Sequence, residues 1–307
     1  MSMRTHALVF PGQGSQRVGM LETLPEHEDL NRLLDAAEAL SGLPLRSIAV
    51  NGPADSLSDT RAAQPLLYLT DWVWGMSLLD CGLDPAFVAG HSLGEYAALA
   101  IAGVFSAEAG LELVTERSAL MAATAQATPG TMAAVLGMER SEVAELVESL
   151  SEVWMANDNS ATQVVLSGTH HGIEAATTAL TAAGARRIVP LTVAGPFHSP
   201  LMAPAGDRFA TIVAEAQFSD ATIPVLQNTD PTPATAEKLI KARLLGQITS
   251  PVRWTETVLA LRDAGVEVIV EAGTGAVLTG LARKVDGIEA VAVEDGGIER
   301  VLEVLGA

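Results

Sequence analysis

A four-residue apolar run, Phe87-Val88-Ala89-Gly90, passes directly into His91-Ser92-Leu93-Gly94-Glu95, and helical Ala/Leu composition follows from Tyr96 to Ala102. A buried strand that turns straight into a helix leaves space only for small residues beside the turn, and Gly90-x-Ser92-x-Gly94 supplies them. The pattern predicts a strained elbow that exposes the Ser92 hydroxyl at a helix N-terminus. There the free N–H groups, notably that of Leu93, can receive a developing oxyanion. The structural alternative is a Gly-rich connection around a buried serine.

The rest of the chain alternates strands and helices around one interruption. Ala7 to Phe10 reads as a strand that stops at Pro11-Gly12-Gln13-Gly14-Ser15-Gln16, a loop able to bring backbone N–H groups close to a ligand. Helices are predicted over Asp29–Ala39, Ala62–Leu79 and Glu108–Ala125. Between about Thr131 and Val193 the pattern becomes β-α-β-β-α-β, the order of a ferredoxin-like unit, with strands at Met132–Leu136, Val153–Ala156, Gln163–Ser167 and Arg187–Val193. Pro129-Gly130 and Gly195-Pro196 flank it. Alternation then resumes, through helices Pro200–Ala216, Ala236–Leu245, Trp254–Ala264 and Ala276–Val285 and strands Pro224–Leu226 and Val266–Val270. The expected fold is α/β: a hydrolase-like large domain with a largely parallel sheet, residues 1–129 and 198–307, interrupted by a ferredoxin-like α+β small domain, residues 130–197.

Composition excludes several function classes. With 37 acidic and 18 basic residues the net charge is −19, so the footprint of a general nucleic-acid or anionic-membrane binder is missing. The single cysteine, Cys81, forms neither an internal disulfide nor a multi-thiolate metal site and suits a reducing cytoplasm. Pro11, Gln13 and Gln16 break the first apolar run, against a secretory signal. Tyr96 to Phe105, the most hydrophobic stretch, is about half of what spans a bilayer. A cytoplasmic protein that needs no cofactor and no metal is expected.

A serine hydroxyl needs a general base, and six histidines are available: His6, His27, His91, His170, His171 and His198. No H-x-x-x-H or H-E-x-x-H spacing supports a metal. At an elbow the side chain of His91 points away from that of Ser92. His198, in the rigid Gly195-Pro196-Phe197-His198-Ser199-Pro200 where the chain re-enters the large domain, is the better base, with a structural histidine as the alternative.

The motifs Pro11–Gln16, Gly90–Glu95, Arg117 with Met121, Gly195–Met202, and Gln247 with Pro251-Val252-Arg253-Trp254 run along nearly the whole length. Together they resemble the malonyl-CoA:acyl carrier protein transacylases, a family of discrete enzymes and polyketide-synthase acyltransferase domains. The resemblance implies that Ser92 is acylated by malonyl-CoA, that His198 is the base, and that the amides of Gln13 and Leu93 form the oxyanion hole. It implies a main-chain carbonyl near Gln247, rather than an aspartate, behind the histidine. Arg117 would meet the malonyl carboxylate bidentately; read without the resemblance it is a surface arginine beside Glu112 and Glu116. Phe197 resembles the bulky residue that disfavours a 2-methyl branch. Met121, Gln247, Asn157 and Asn159 complete the implied substrate set, although Asn157 and Asn159 also suit a turn.

The implied partners are malonyl-CoA and acyl carrier protein, with a monomer as the expected state. A polyketide carrier is the alternative within the family. A hydrolase releasing the acyl-serine to water is a second class, and a non-catalytic carrier-binding module a third. An acidic carrier is repelled by a chain at −19 unless a local basic surface receives it. Two clusters qualify: Lys238, Lys241 and Arg243, or Arg186, Arg187, Arg283 and Lys284.

Overall fold

A computed structural model describes residues 3–306. The chain opens with β1 (His6–Phe10), runs through α1 (Leu30–Ser41), α2 (Leu45–Asn51), α3 (Ala54–Ser58) and α4 (Thr60–Asp80), then β2 (Phe87–Gly90), α5 (Gly94–Ile101) and α6 (Ala107–Ala127). Next come β3 (Thr131–Leu136), α7 (Arg140–Glu148), β4 (Val153–Ser160), β5 (Gln163–Gly168), α8 (His170–Ala182) and β6 (Arg187–Pro190). The last part holds α9 (Ala203–Glu215), β7 (Val225–Leu226), α10 (Glu237–Leu245), α11 (Trp254–Asp263), β8 (Val268–Glu271), α12 (Val277–Ala282), β9 (Glu289–Ala292) and α13 (Gly297–Leu305).

Five parallel strands lie in the order β7-β2-β1-β8-β9. The central strands are apolar without alternation because both faces are covered. Leu8, Phe10, Val88, Val268 and Val270 enter one core with α4, α5 and α6, while Ala7, Val9, Ala89 and Ile269 enter a second with Trp254, Val258 and Leu278 from α11 and α12. A separate antiparallel sheet, β4-β5-β3-β6, has the spatial order of a β-α-β-β-α-β unit. Its Ala133, Val135, Val164 and Leu166 pack on α7 and α8, whereas Met132, Ala134 and Val165 turn toward the large core. The second face therefore roofs the C-terminal ends of β1 and β2, where an open parallel sheet gathers its ligands.

Two differences from the expected elements bear on the site. Asn157-Asp158-Asn159 is strand rather than turn: β4 runs on to Ser160 because its edge is hydrogen-bonded to Val252, with Asp158 N to Val252 O at 2.9 Å and Val252 N to Ala156 O at 2.8 Å. Tertiary pairing overrides the weak strand preference of Asn and Asp. Strand β6 ends at Pro190, not Val193, which frees Leu191 and Val193 to line a cavity. Four elements had no counterpart in the sequence reading: α2, α3, β9 and α13. The Ile298, Val301, Leu302, Leu305 spacing of α13 is a legible helical stripe.

Gly280, exposed inside α12, has no atom within 4 Å of where a Cβ would stand. Gly280→Ala should raise stability by about 0.5–1 kcal/mol in urea unfolding, from helix propensity alone; an unchanged or lower midpoint contradicts the packing described here.

Candidate active site

The elbow forms because three backbone segments meet without side chains between them. A Cβ on Gly90 would overlap the Gly94 carbonyl, one on Gly94 would overlap the Phe10 carbonyl, and one on Gly12 would overlap the His91 carbonyl. The glycines of the motif are thus required by close approach, and the turn residue Ser92 itself sits at φ 52°. The pairing of Phe10 with Gly90 brings the Pro11–Gln16 loop to the same edge as the turn.

Ser92 Oγ lies 2.7 Å from His198 Nε2. His198 also has a left-handed backbone, φ 56°. Its Nδ1 is 3.1 Å from the carbonyl oxygens of both Gln247 and Ser250. Carbonyls only accept, so Nδ1 carries the proton and Nε2 is free to accept the serine hydroxyl. Among the described residues no carboxylate stands behind the ring, and the main-chain carbonyls near Gln247 support it. Burial, then the Arg117 cation and His91, pushes the His198 pKa down to about 3, against an ordinary 6.5. The imidazole is neutral at physiological pH, as a base must be.

Arg117 is completely buried on α6, not on the surface. Its Nη1 donates to Gln64 Oε1 at 2.7 Å, its Nε to Gln247 Oε1 at 3.2 Å and its Nη2 to Ser92 Oγ at 3.1 Å. The guanidinium also lies over the Tyr96 ring, 5.4 Å from its centroid. Burial lowers its pKa, with Glu95 and Tyr96 opposing. Among the described residues no carboxylate comes within 4.0 Å of it. A buried cation held by amides, a hydroxyl and an aromatic ring, with no carboxylate in contact among the described residues, is poised to receive an anion.

These groups face a cavity of about 90 Å³, the space of about three waters. Gln13, Leu93, Met121, Phe197 and Asn157 line it together with Ser92, Arg117 and His198. The amides of Gln13 and Leu93 donate to no acceptor among the described residues. Two residues of the sequence-derived set stand behind the wall. Gln247 does not line the cavity: it braces Arg117 and donates from Nε2 to the Ser92 carbonyl at 2.8 Å. Asn159 lies 2.9 Å, through Oδ1, from His91 Nε2. The His91 ring also lines the cavity, held there by Asn159 and by the Trp254 ring, 5.5 Å between centroids.

Sequence reasoning passed over Gln64, Glu95 and Asn228, and the apolar wall of Met132, Val165, Leu191 and Val193. Asn228 follows the C-terminal end of parallel strand β7, a position that could have drawn attention to it. A larger open depression of about 760 Å³ runs along edge strand β9, but its Arg4, Arg283 and Arg300 face Glu289, Asp295 and Glu303 and it holds no nucleophile.

The depressed His198 pKa links stability to pH. The unfolded chain takes up this proton near pH 6.5, the folded one only near 3, so the neutral ring's contribution is complete above 6.5 and is lost progressively as pH falls. Between pH of about 6.5 and 4.5, wild type should lose about 2–3 kcal/mol more stability than His198→Gln; equal losses in urea titrations at the two pH values contradict the burial of a neutral imidazole.

The chain matches the acyl transferase domain family over residues 7–295. It is 42% identical over 278 residues to the malonyl CoA-acyl carrier protein transacylase of Synechocystis, covering 91% of this chain and 92% of that protein. The crystal structure of the Synechocystis malonyl-CoA:ACP transacylase superposes with a TM-score of 0.89 at 39% identity, over 97% of this chain and 99% of that one. A malonyl-transacylase solved in complex with a type II polyketide-synthase acyl-carrier protein gives a TM-score of 0.91 at 34% identity, over 98% of this chain and 99% of that one. The chain belongs to the acyl transferase family that includes the malonyl-CoA:acyl carrier protein transacylases.

Proposed function

We propose that this protein transfers the malonyl group of malonyl-CoA to the phosphopantetheine thiol of an acyl carrier protein through a malonyl-Ser92 intermediate, supplying fatty-acid elongation. The observation that carries the reading is the buried Arg117 cation, with no acid within 4.0 Å among the described residues, 3.1 Å from the nucleophile in a cavity sized for a short acyl group. His198 Nε2 takes the Ser92 proton as Oγ attacks the thioester carbonyl, and the Gln13 and Leu93 amides receive the oxyanion. Collapse expels the CoA sulfur, which takes the proton from His198. The carrier thiol then gives its proton to His198 and attacks the malonyl ester, returning Ser92.

The carboxylate of the acyl group lies against Arg117, which acetyl cannot exploit. Phe197, Met132, Val165 and Leu191 close the cavity around C2, which favours malonyl over methylmalonyl. Hydrolysis is the weaker reading, since His198 leans on carbonyls where a triad of the α/β-hydrolase type has an acid. On this reading the enzyme works in the cytoplasm as a monomer, and residues 130–197 form the unit that closes over the acyl group. Among the described residues no helix is long and apolar enough to cross a membrane.

The carrier approaches over the end of the small sheet. Leu136 of β3 pairs with Gln163 on one side and Arg187 on the other, and Lys284 Nζ donates to Gln163 Oε1 at 2.8 Å. This places Lys284 and Arg187 at one end of the cleft-facing surface, about 7 Å along β5 from cavity-lining Val165. Arg186 packs at Gly137 in the same corner. None of the three is ion-paired among the described residues, whereas Arg243 of the other cluster is bound to Asp230 at 2.6 Å and Lys241 to the Ala214 and Ala216 carbonyls.

Two experiments test these statements. Intact mass after brief exposure to malonyl-CoA should show a malonyl adduct on wild type and none on Ser92→Ala. Arg117→Ala should cost about 2–3 kcal/mol in kcat/KM for malonyl-CoA, roughly 10²-fold, and no adduct on wild type with ester hydrolysis in its place would sink the transferase reading. Lys284→Glu and Arg187→Glu should slow transfer to the holo-carrier and leave acylation by malonyl-CoA intact. Equal loss in both half-reactions would put the CoA phosphates, not the carrier, on this surface.

A further inference from the structure

One residue of the loop after β7 holds the elbow at three successive points. Asn228, buried, accepts the Ser92 amide on Oδ1 at 2.7 Å, donates from Nδ2 to the Gly90 carbonyl at 2.5 Å, and donates its own amide to Glu95 Oε2 at 2.7 Å. Gly90 ends the strand, Ser92 is the strained residue, and Glu95 lies in the first turn of α5. Glu95 is itself fixed by Gln227 Nε2 at 3.1 Å. On its other side the Asn228 carbonyl accepts from Arg253 N at 3.1 Å, next to Val252, which is bonded to β4.

The two peptide planes flanking Ser92 are therefore both pinned. Asn228 holds the plane that carries the Ser92 amide, and Gln247 Nε2 holds the Ser92 carbonyl at 2.8 Å. In a trans peptide the carbonyl and the following N–H point in opposite directions, so a carbonyl turned to Gln247 turns the Leu93 N–H away from Gln247. With its own amide engaged, Ser92 leaves the Leu93 and Gln13 amides as the free donors of the wall.

We propose that Asn228 is a positioning residue for acyl transfer: by occupying the Ser92 amide and the Gly90 carbonyl it maintains the left-handed turn that aims the Ser92 hydroxyl and the Leu93 amide at one carbonyl. It touches no substrate. Gln247 shares the task but also binds Arg117, so substitutions there disturb carboxylate recognition as well. Asn228 separates the two effects.

The inference rests on Ser92 being acylated, which the mass shift of wild type reports separately. Asn228→Ala removes both side-chain links. Asn228→Asp keeps the acceptor for the Ser92 amide and, when protonated, the donor to Gly90; Glu95 on its amide, Arg253 on its carbonyl, and Arg117 and His91 across the elbow are the charged or titratable groups around it. Rapid-quench mass spectrometry of Ser92 acylation gives the maximal rate and the half-saturating malonyl-CoA concentration, with thermal unfolding followed in parallel. Asn228→Ala should lose about 10²-fold in maximal rate at an unchanged half-saturating concentration, and Asn228→Asp should approach the wild-type rate as pH is lowered. A folded Asn228→Ala with the wild-type rate, or one whose rate and half-saturation move together, overturns the assignment. If Asn228→Ala does not fold, Asn228→Asp decides: a pH-independent wild-type rate overturns it. A missing adduct on wild type would instead remove the transferase reading.

Discussion

The seating of the elbow against the end of β1 is the contact on which the site depends. Phe10 accepts the His91 amide at 2.9 Å, and Gly94 passes so close to the Phe10 carbonyl that no side chain fits between them. The parallel register of Phe10 with Gly90 then delivers two loops to one edge of the sheet, the first carrying the Gln13 amide and the second Ser92 and Leu93. Donors from residues about eighty positions apart in sequence converge because the sheet is parallel and its loops share an end. A strained serine can persist there because Asn228, Gln247 and the glycine contacts over-determine its backbone.

The buried charge of Arg117 organises the chemistry around it. A cation removed from water is costly, and this one is held by Gln64, Gln247, the Ser92 hydroxyl and the Tyr96 ring, with Glu95 further off. The same charge adds to burial in keeping His198 neutral. On the proposed reading, recognition of the acyl carboxylate and the basicity of the imidazole are two consequences of one guanidinium. That link explains why the histidine is supported by carbonyls: they hold the tautomer without adding a second buried ion.

The small antiparallel sheet serves two surfaces with its two faces. One face closes its own core on α7 and α8, and the other is apolar over the cavity and ends beside Arg187 of β6 and Lys284, which pair with Leu136 and donate to Gln163 respectively. The edge of β4 is tied to Val252, in the segment that also carries Arg253 and its bond to Asn228. Roof and elbow are consequently joined through the main-chain bonds of Val252 and Arg253 and the side chain of Asn228, so the position of Asn157 on the cavity wall and the geometry at Ser92 share one support. In a protein at −19, Arg186, Arg187 and Lys284, without an ion pair among the described residues, are a local exception to the field of the whole chain.

Much of this was legible in the amino-acid sequence, because the features concerned are local. Glycines flanking a serine between an apolar run and a helical one specify an elbow through sterics alone, and hydrophobic periodicity marks the change to a β-α-β-β-α-β unit. The resemblance carried by the order of the motifs pointed to Ser92, His198 and Arg117. What only the tertiary structure decided is where polar side chains spend their hydrogen bonds. Gln247 and Asn159 brace the site from behind its wall, His91 faces the cavity because Asn159 and Trp254 hold it, and Asn157 to Asn159 extend a strand because Val252 pairs with their edge. Whether Arg117 lay on a solvated helix face or inside the core was equally undetermined from its acidic neighbours. Periodicity and motif spacing report on residues near in sequence, whereas burial of a charge and satisfaction of an amide depend on partners 25 to 155 positions away, and those are set only when the sheets close.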